Sequence, residues 1–314
     1  MNLKHFFKCL SLVLFGLSLI SGCSVRSSLP IVPTVSLASS PTLFFAPTFT
    51  PQPTSTPTQT FTPTPETTFT EEQIQANIIA ALDANGDCKF PCWWGINPGQ
   101  TPQEKAFTLL EQIGFLPIRD TVGGWYYNFL LFSGADQHNS IDYEIHLQDK
   151  IVSFIFVRGQ GYNNHASFLR IWNSVSPEKI ITNYGTPSRV WVELKTGGCE
   201  GNAPCATTPY ELWLFYDEQG FLIQYTGSVD NKSSYTFCPT FSETGNLGGS
   251  IQIYLKSSQD PRPLESFTGY PPEILNNIKD IAGVTGMSLD GFSAHIIQTN
   301  QPFCFSTPLN TWPK

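Results

Sequence analysis

Apolar and polar residues alternate through Ile141, Tyr143, Ile145 and Leu147 within SIDYEIHLQ (140–148), the two-residue period of a strand with one buried face. The runs GWYYNFLLFSG (124–134) and KIVSFIFVRG (150–159) read as strands too, and Asp149-Lys150 marks a tight hairpin between the last two. Ahead of them, Thr101-Pro102-Gln103-Glu104 has the form of a capping box with proline at the first helical position. It predicts a helix to about Ile113, stopped at Gly114. A second round follows. HASFLRIWNSVSPEKIITNYG (165–185) predicts two short helices split near Pro177, and SRVWVEL (188–194), YELWLFYDE (210–218) and FLIQYTGSV (221–229) predict strands, with a hairpin turn at Gln219-Gly220.

The two rounds share a joint. EQIGFLPIR (111–119) and ITNYGTPSR (181–189) both pass from helix through Gly and Pro to an Arg that enters the sheet. In the last third, SIQIYLKSS (250–258) predicts a strand, PPEILNNIKDIAG (271–283) a helix and AHIIQT (294–299) a final strand. The expected class is α+β: tandem helix-plus-three-strand antiparallel repeat units at 71–160 and 161–235, a C-terminal α/β extension at 236–314, the whole stapled by disulfides.

The N-terminal end changes this picture. Lys4, His5 and Lys8 precede an apolar run from Cys9 to Ile20, too short to span a bilayer and suited to a signal peptide over 1–22. The run ends Ile20-Ser21-Gly22-Cys23, which resembles the bacterial lipobox. That resemblance implies acylation of Cys23 and an extracytoplasmic protein whose membrane partner is reached through lipid, each buried methylene adding about 0.8 kcal/mol. Residues 24–70 hold 29 Ser, Thr or Pro among 47 and only Arg26 and Glu66 as charges. Such a stretch cannot offset its ordering entropy by burial, so 23–70 reads as an anchored tether, about 140 Å long if fully extended as polyproline II. Residues 71–314 are then the globular part.

The formal charge is −8, and −10 once a leader with Lys4 and Lys8 is gone, which argues against nucleic acid as a partner. Removing Cys9 and Cys23 leaves six cysteines: Cys88, Cys92, Cys199, Cys205, Cys238 and Cys304. An even set in an exported chain implies disulfides, and sequence proximity suggests pairing in that order. The C-x3-C and C-x5-C spacings do not fit the C-x2-C pairs of zinc ribbons. CKFPCWWG (88–95) therefore reads as a structural clasp, with at least one of Trp93 and Trp94 buried.

PCWWGINPGQT followed by a helix resembles a motif of uncharacterised lipoproteins of environmental bacteria. The repeated helix, Gly-x-Pro and three strands resemble the folds of β-lactamase inhibitor protein and of the small lipoprotein of the outer-membrane barrel-assembly machinery. The motif's family has no assigned activity; the fold resemblance, over 95–229, implies binding of protein partners, and neither assigns a functional residue.

Catalytic signatures are thin. G-x-S-x-G, H-E-x-x-H and the phosphate-binding loop are absent from the sequence, and no cofactor is expected. DANGD (83–87) opens like a calcium loop at Asp83, Asn85 and Asp87. However, Cys88 stands where such a loop needs glycine and Trp94 where it needs glutamate, so a helix-ending turn is expected. GFSAH places Ser293 and His295 two apart on an expected strand, with Asp290 as a conceivable orienting acid. Strand aromatics remain as binding candidates: Trp125, Tyr127, Trp191, Trp213 and Tyr225. The function expected is a non-enzymatic, lipid-anchored surface protein that binds a protein or envelope component. The alternatives are a carbohydrate-binding module using those aromatics and an extracellular hydrolase whose site is not recognisable.

Overall fold

The computed structural model describes residues 69–115, 118–119, 125–134, 137–161, 165–195, 207–230, 234–241, 245–269, 278–298 and 303–312; for 118–119, 125–134, 137–139 and 165 it describes the backbone alone. The expected signal peptide, Cys23, nearly all of the expected tether and the expected Cys199–Cys205 pair lie outside these residues.

Helix α1 (Glu71–Ala84) opens with a capping box, Thr70 Oγ1 accepting from the Gln73 N–H while Gln73 accepts from the Thr70 N–H. It ends as expected at DANGD, with Asn85 in the left-handed conformation. Helix α2 (Gln103–Gln112) follows, but the capping box expected at Thr101 does not form. Thr101 Oγ1 instead accepts the Asn97 N–H at 2.8 Å, and Pro102 caps the helix without a side-chain hydrogen bond.

Strands β1 (Ile118–Arg119), β2 (Trp125–Gly134), β3 (Gln137–Gln148) and β4 (Ile151–Gly161) form an antiparallel meander, with the β3–β4 turn at Asp149-Lys150. Helices α3 (His165–Ile171) and α4 (Pro177–Tyr184) come next, split at Ser176-Pro177, with the Ser176 hydroxyl capping α4. Strands β5 (Arg189–Leu194), β6 (Thr207–Tyr216) and β7 (Phe221–Asp230) make a second meander, followed by β8 (Ser234–Phe237) and β9 (Leu247–Lys256). A strap over 257–269 carries one 3-10 turn, Leu264–Phe267. Then come β10 (Ile278–Asp280), α5 (Ile281–Thr285), α6 (Leu289–Ile297) and β11 (Phe305–Pro308).

Among the described residues, nine strands form one antiparallel sheet in the order β1-β2-β3-β4-β9-β7-β6-β5-β10, and β8 pairs with β11. The stretch 236–314, expected as a C-terminal α/β extension, contributes strands to this sheet. β9 is inserted between the two meanders, at the centre of the sheet. Two local expectations are corrected. Within the helix expected over 271–283, of the residues described, 278–280 are a strand and only 281–283 are helical, and 294–297 belong to α6 rather than to a strand. For α6 the physical reason is visible: Ser288 caps it, and Phe292, Ser293 and Ile296 recur at helical spacing to bury one side.

The helices bury their apolar sides on one face of the sheet. Ile78, Leu82, Leu110, Phe168, Trp172, Ile180 and Phe292 meet Ile141, Tyr143 and Ile145, together with Val157, Leu212, Ile223, Tyr225 and Ile253, in one continuous core. Gly159 lets Trp172 approach the sheet closely, because a Cβ there would overlap the Trp172 ring. The clasp feeds the same core. Cys88 and Cys92 are disulfide-bonded, and Asn85 ties the loop with Nδ2 donating to the Cys88 and Cys92 carbonyls and Oδ1 accepting the Trp94 N–H. Both Trp93 and Trp94 are buried. Cys238 and Cys304 are bonded too, one residue beyond the Phe237–Phe305 pair of β8 and β11.

Candidate functional site

The opposite face of the sheet carries no described helix. The strap crosses part of it, setting Leu264 and Phe267 against Phe154, Phe215, Leu222 and Tyr254. Beside this apolar patch, strand register assembles a single row across six strands: Asp142, Arg158, Gln252, Gln224, Trp213 and Trp191 are successive partners on β3, β4, β9, β7, β6 and β5. A carboxylate, a guanidinium, two amides and two indoles thus stand side by side.

Arg158 pairs with the buried Asp142 carboxylate and keeps part of its own side chain open. Tyr254 Oη lies 2.7 Å from Gln252 Oε1 and 3.3 Å from Gln224 Oε1, and its one proton serves only one of them. Gln224 Nε2 is buried with no hydrogen-bond partner among the described residues. At the other end, the rings of Trp213 and Trp191 are 6.1 Å apart; Trp213 is buried and Trp191 half-buried. The Arg189 guanidinium lies 5.0 Å from the Trp191 ring and 4.1 Å from the Phe215 ring. It is held there by Asp217 at 2.7 Å and Glu265 at 2.9 Å, the second of which pins the strap.

Next to the indoles, Glu193 and Glu211 are cross-strand partners. Lys195 Nζ lies 2.9 Å from Glu193 Oε2 and 3.3 Å from Glu211 Oε2, and the Trp213 indole N–H donates to Glu211 at 3.2 Å. Burial pushes the Glu193 carboxyl above its ordinary range; Lys195 opposes this and Glu211 adds to it.

The chain matches no protein-family model, no curated protein and no solved structure. Its chemistry must be read from its own side chains.

The aromatic candidates separate. Trp191 and Trp213 share the strap-bearing face. Tyr225 lies on the helix-covered face, fully buried, its hydroxyl donating to the Val175 carbonyl at 2.8 Å. Trp125 and Tyr127 are on β2, opposite His146 and Glu144 in register, with five strands between β2 and β5. Their side chains lie outside the description.

The hydrolase candidates do not converge either. On α6, Ser293 is buried while His295 is exposed and stacks on Phe303 at 5.1 Å. Two residues on a helix point to different sides, whereas the same two on a strand would share a face. Asp290 accepts from Thr186 at 2.8 Å instead of orienting a base. Asn85, the central residue of the possible calcium loop, has its side chain committed to the clasp backbone.

Sequence reading missed the row itself. Its six members come from six strands, and only the register of the folded sheet puts them together. Hydrophobic alternation flagged the indoles but carries no signal for Gln224 or Gln252.

Proposed function

We propose that the protein is a non-enzymatic binding protein, exported, anchored through lipid on Cys23 and spaced from the membrane by its Ser/Thr/Pro-rich tether. It contacts a protein or envelope component through the strap-bearing sheet face. The observation that carries this is the six-strand row, which ends in a half-buried tryptophan under an arginine. Trp191, Arg158 and Lys195 keep part of their side chains open on this face, offering a ring, a fork and an ammonium together. Aromatic and arginine anchors of this kind dominate binding energy in protein interfaces.

A glycan reading of the same face is favoured by one feature, the neighbourhood of Trp191. Carboxyl groups of Glu193 and Glu211 flank the indole pair, and such groups suit sugar hydroxyls while the ring stacks on a pyranose. We further propose that the two helix-and-meander segments are tandem copies. β2–β4 and β5–β7 each follow a helix, and they flank β9 on its two sides.

Retention on isolated envelope material tests the main reading. Trp191→Ala and Arg158→Ala should weaken retention of the full chain, and Cys23→Ala should move it from the membrane fraction to the soluble fraction. Undiminished retention in the first two variants would remove the sheet face as the contact surface; a membrane-bound Cys23→Ala protein would remove the anchor.

A further inference from the structure

A groove of about 590 Å³ opens at one end of the sheet, between the β3–β4 turn and the start of the strap. That volume falls within the range of small-molecule sites, about 300–1,000 Å³. Both walls are fixed by hydrogen bonds. On one side the Gln103 N–H donates to the Lys150 carbonyl and the Val152 N–H to the Thr101 carbonyl, each at 2.9 Å. On the other, the Lys256 ammonium donates to the carbonyls of Asp260 and Arg262, and Arg262 forks onto the Asp260 carboxylate. A site fixed before its ligand arrives avoids an ordering cost on binding.

The turn that forms one wall is expensive. Asp149 and Lys150 have φ of 52° and 64°. Two-residue turns of this form favour Asn-Gly, and a lysine held in the left-handed region costs on the order of 1 kcal/mol. Strain of this kind collects where a local geometry is used.

The lining's free hydrogen-bonding groups set the ligand's chemistry. The amides of Gln148 and Gln259 and the carboxylate of Asp149 form no hydrogen bond among the described residues. Ser257 Oγ accepts the Gln259 N–H at 3.2 Å, which leaves its own proton to donate. Donors and acceptors are therefore interleaved, and the ligand group that answers both at one atom is a hydroxyl. The two carboxylates of Asp149 and Asp260 balance the Arg262 guanidinium and the Lys256 ammonium of the wall, which leaves no excess positive charge to hold a multiply charged anion. Val152 and Pro261 add an aliphatic patch suited to the C–H face of a ring.

We propose that this groove binds a neutral polyhydroxylated ligand, a mono- or disaccharide unit. The site shares no residue with the Trp191 row, and the proposal stands or falls separately from the sheet-face reading.

The full chain is titrated with glucose, galactose, mannose, N-acetylglucosamine and their disaccharides, with inorganic phosphate alongside, by calorimetry and saturation-transfer NMR. At least one neutral sugar should bind. Gln148→Ala combined with Gln259→Ala should weaken that binding about tenfold or more, and Asp149→Asn should weaken it while keeping a residue that tolerates the turn. Melting temperatures should hold, since all three side chains are exposed. The proposal is overturned if no neutral sugar binds, if phosphate binds better than every sugar, or if the variants bind like the parent. Envelope retention that needs Trp191, in a protein binding no sugar, would remove the groove and leave the sheet face. Sugar binding lost in the glutamine variant, with retention indifferent to Trp191, would do the reverse.

Discussion

Two tyrosines packed in the helix-covered core have opposite hydrogen-bonding fates. Tyr225 donates to a buried carbonyl, whereas the Tyr143 hydroxyl is buried with no partner among the described residues, and burial drives its pKa far up. A buried polar group left unpaired costs about 1–3 kcal/mol, and a satisfied one contributes about 1 kcal/mol. Tyr143→Phe should therefore stabilise the fold by about 1 kcal/mol and Tyr225→Phe should destabilise it by a similar amount, read from urea unfolding midpoints. Equal destabilisation by both would mean that Tyr143 has found a partner. Ionisable groups give a second test at this scale. Burial raises the Asp217 carboxyl, but hydrogen bonds from Arg189 and Ser188 outweigh it, so its folded pKa is depressed. Its contribution is fully present above the unfolded value, about 3.9, and is lost as pH falls through the folded value. Glu193 is the reverse case: its pKa is raised, so its share of stability is greatest below about 4.3 and declines as pH rises through the folded value. Thermal melts across pH should show Asp217→Asn blunting the loss at the acid end and Glu193→Gln blunting the decline above it. Little of this was legible in the chain. Alternation places Tyr143 inside, yet whether its hydroxyl meets an acceptor depends on neighbours far away in sequence.

At the scale of elements, the hairpins were the most legible part. Their signal is local, a two-residue period broken by Asp149-Lys150 or Gln219-Gly220, and the fold keeps both turns. The split of α3 from α4 at Pro177 was legible for the same reason, since proline at a first helical position is a backbone constraint. Short elements were not. β10 is three residues and β11 is four, and each exists through pairing with β5 or β8. AHIIQT has strand-like composition, but Ser288 supplies a cap and the burial of Phe292 and Ile296 decides for helix. The two described disulfides were correctly paired from sequence, and their loops differ greatly in length. Chain-entropy reasoning gives about 2 kcal/mol for Cys88–Cys92 and about 4 kcal/mol for Cys238–Cys304. Denaturant titrations of Cys88→Ser/Cys92→Ser and Cys238→Ser/Cys304→Ser should rank in that order. The opposite ranking would show that Asn85 and the clasp tryptophans depend on their sulfur bridge more than the β8–β11 ribbon depends on its own.

For the whole molecule, the class α+β with antiparallel strands was readable, while the joining of those strands into one large sheet and the place of the last third were not. Periodicity says that 250–258 is a strand; it does not say which neighbours that strand joins. β9 lies between β4 and β7, a pairing that spans about 90–100 residues on one side and about 20–35 on the other. A chain ending before residue 247 would leave β4 and β7 each with an unpaired edge. Such edges template association, so this truncation should sediment as oligomers or precipitate where the full chain stays dispersed. A monodisperse truncated protein would mean that the two meanders close directly on each other. A polypeptide is made amino end first, so both halves of the arch stand open until their keystone arrives. Until that moment each bare rib is a place where a neighbouring chain can lodge in its stead.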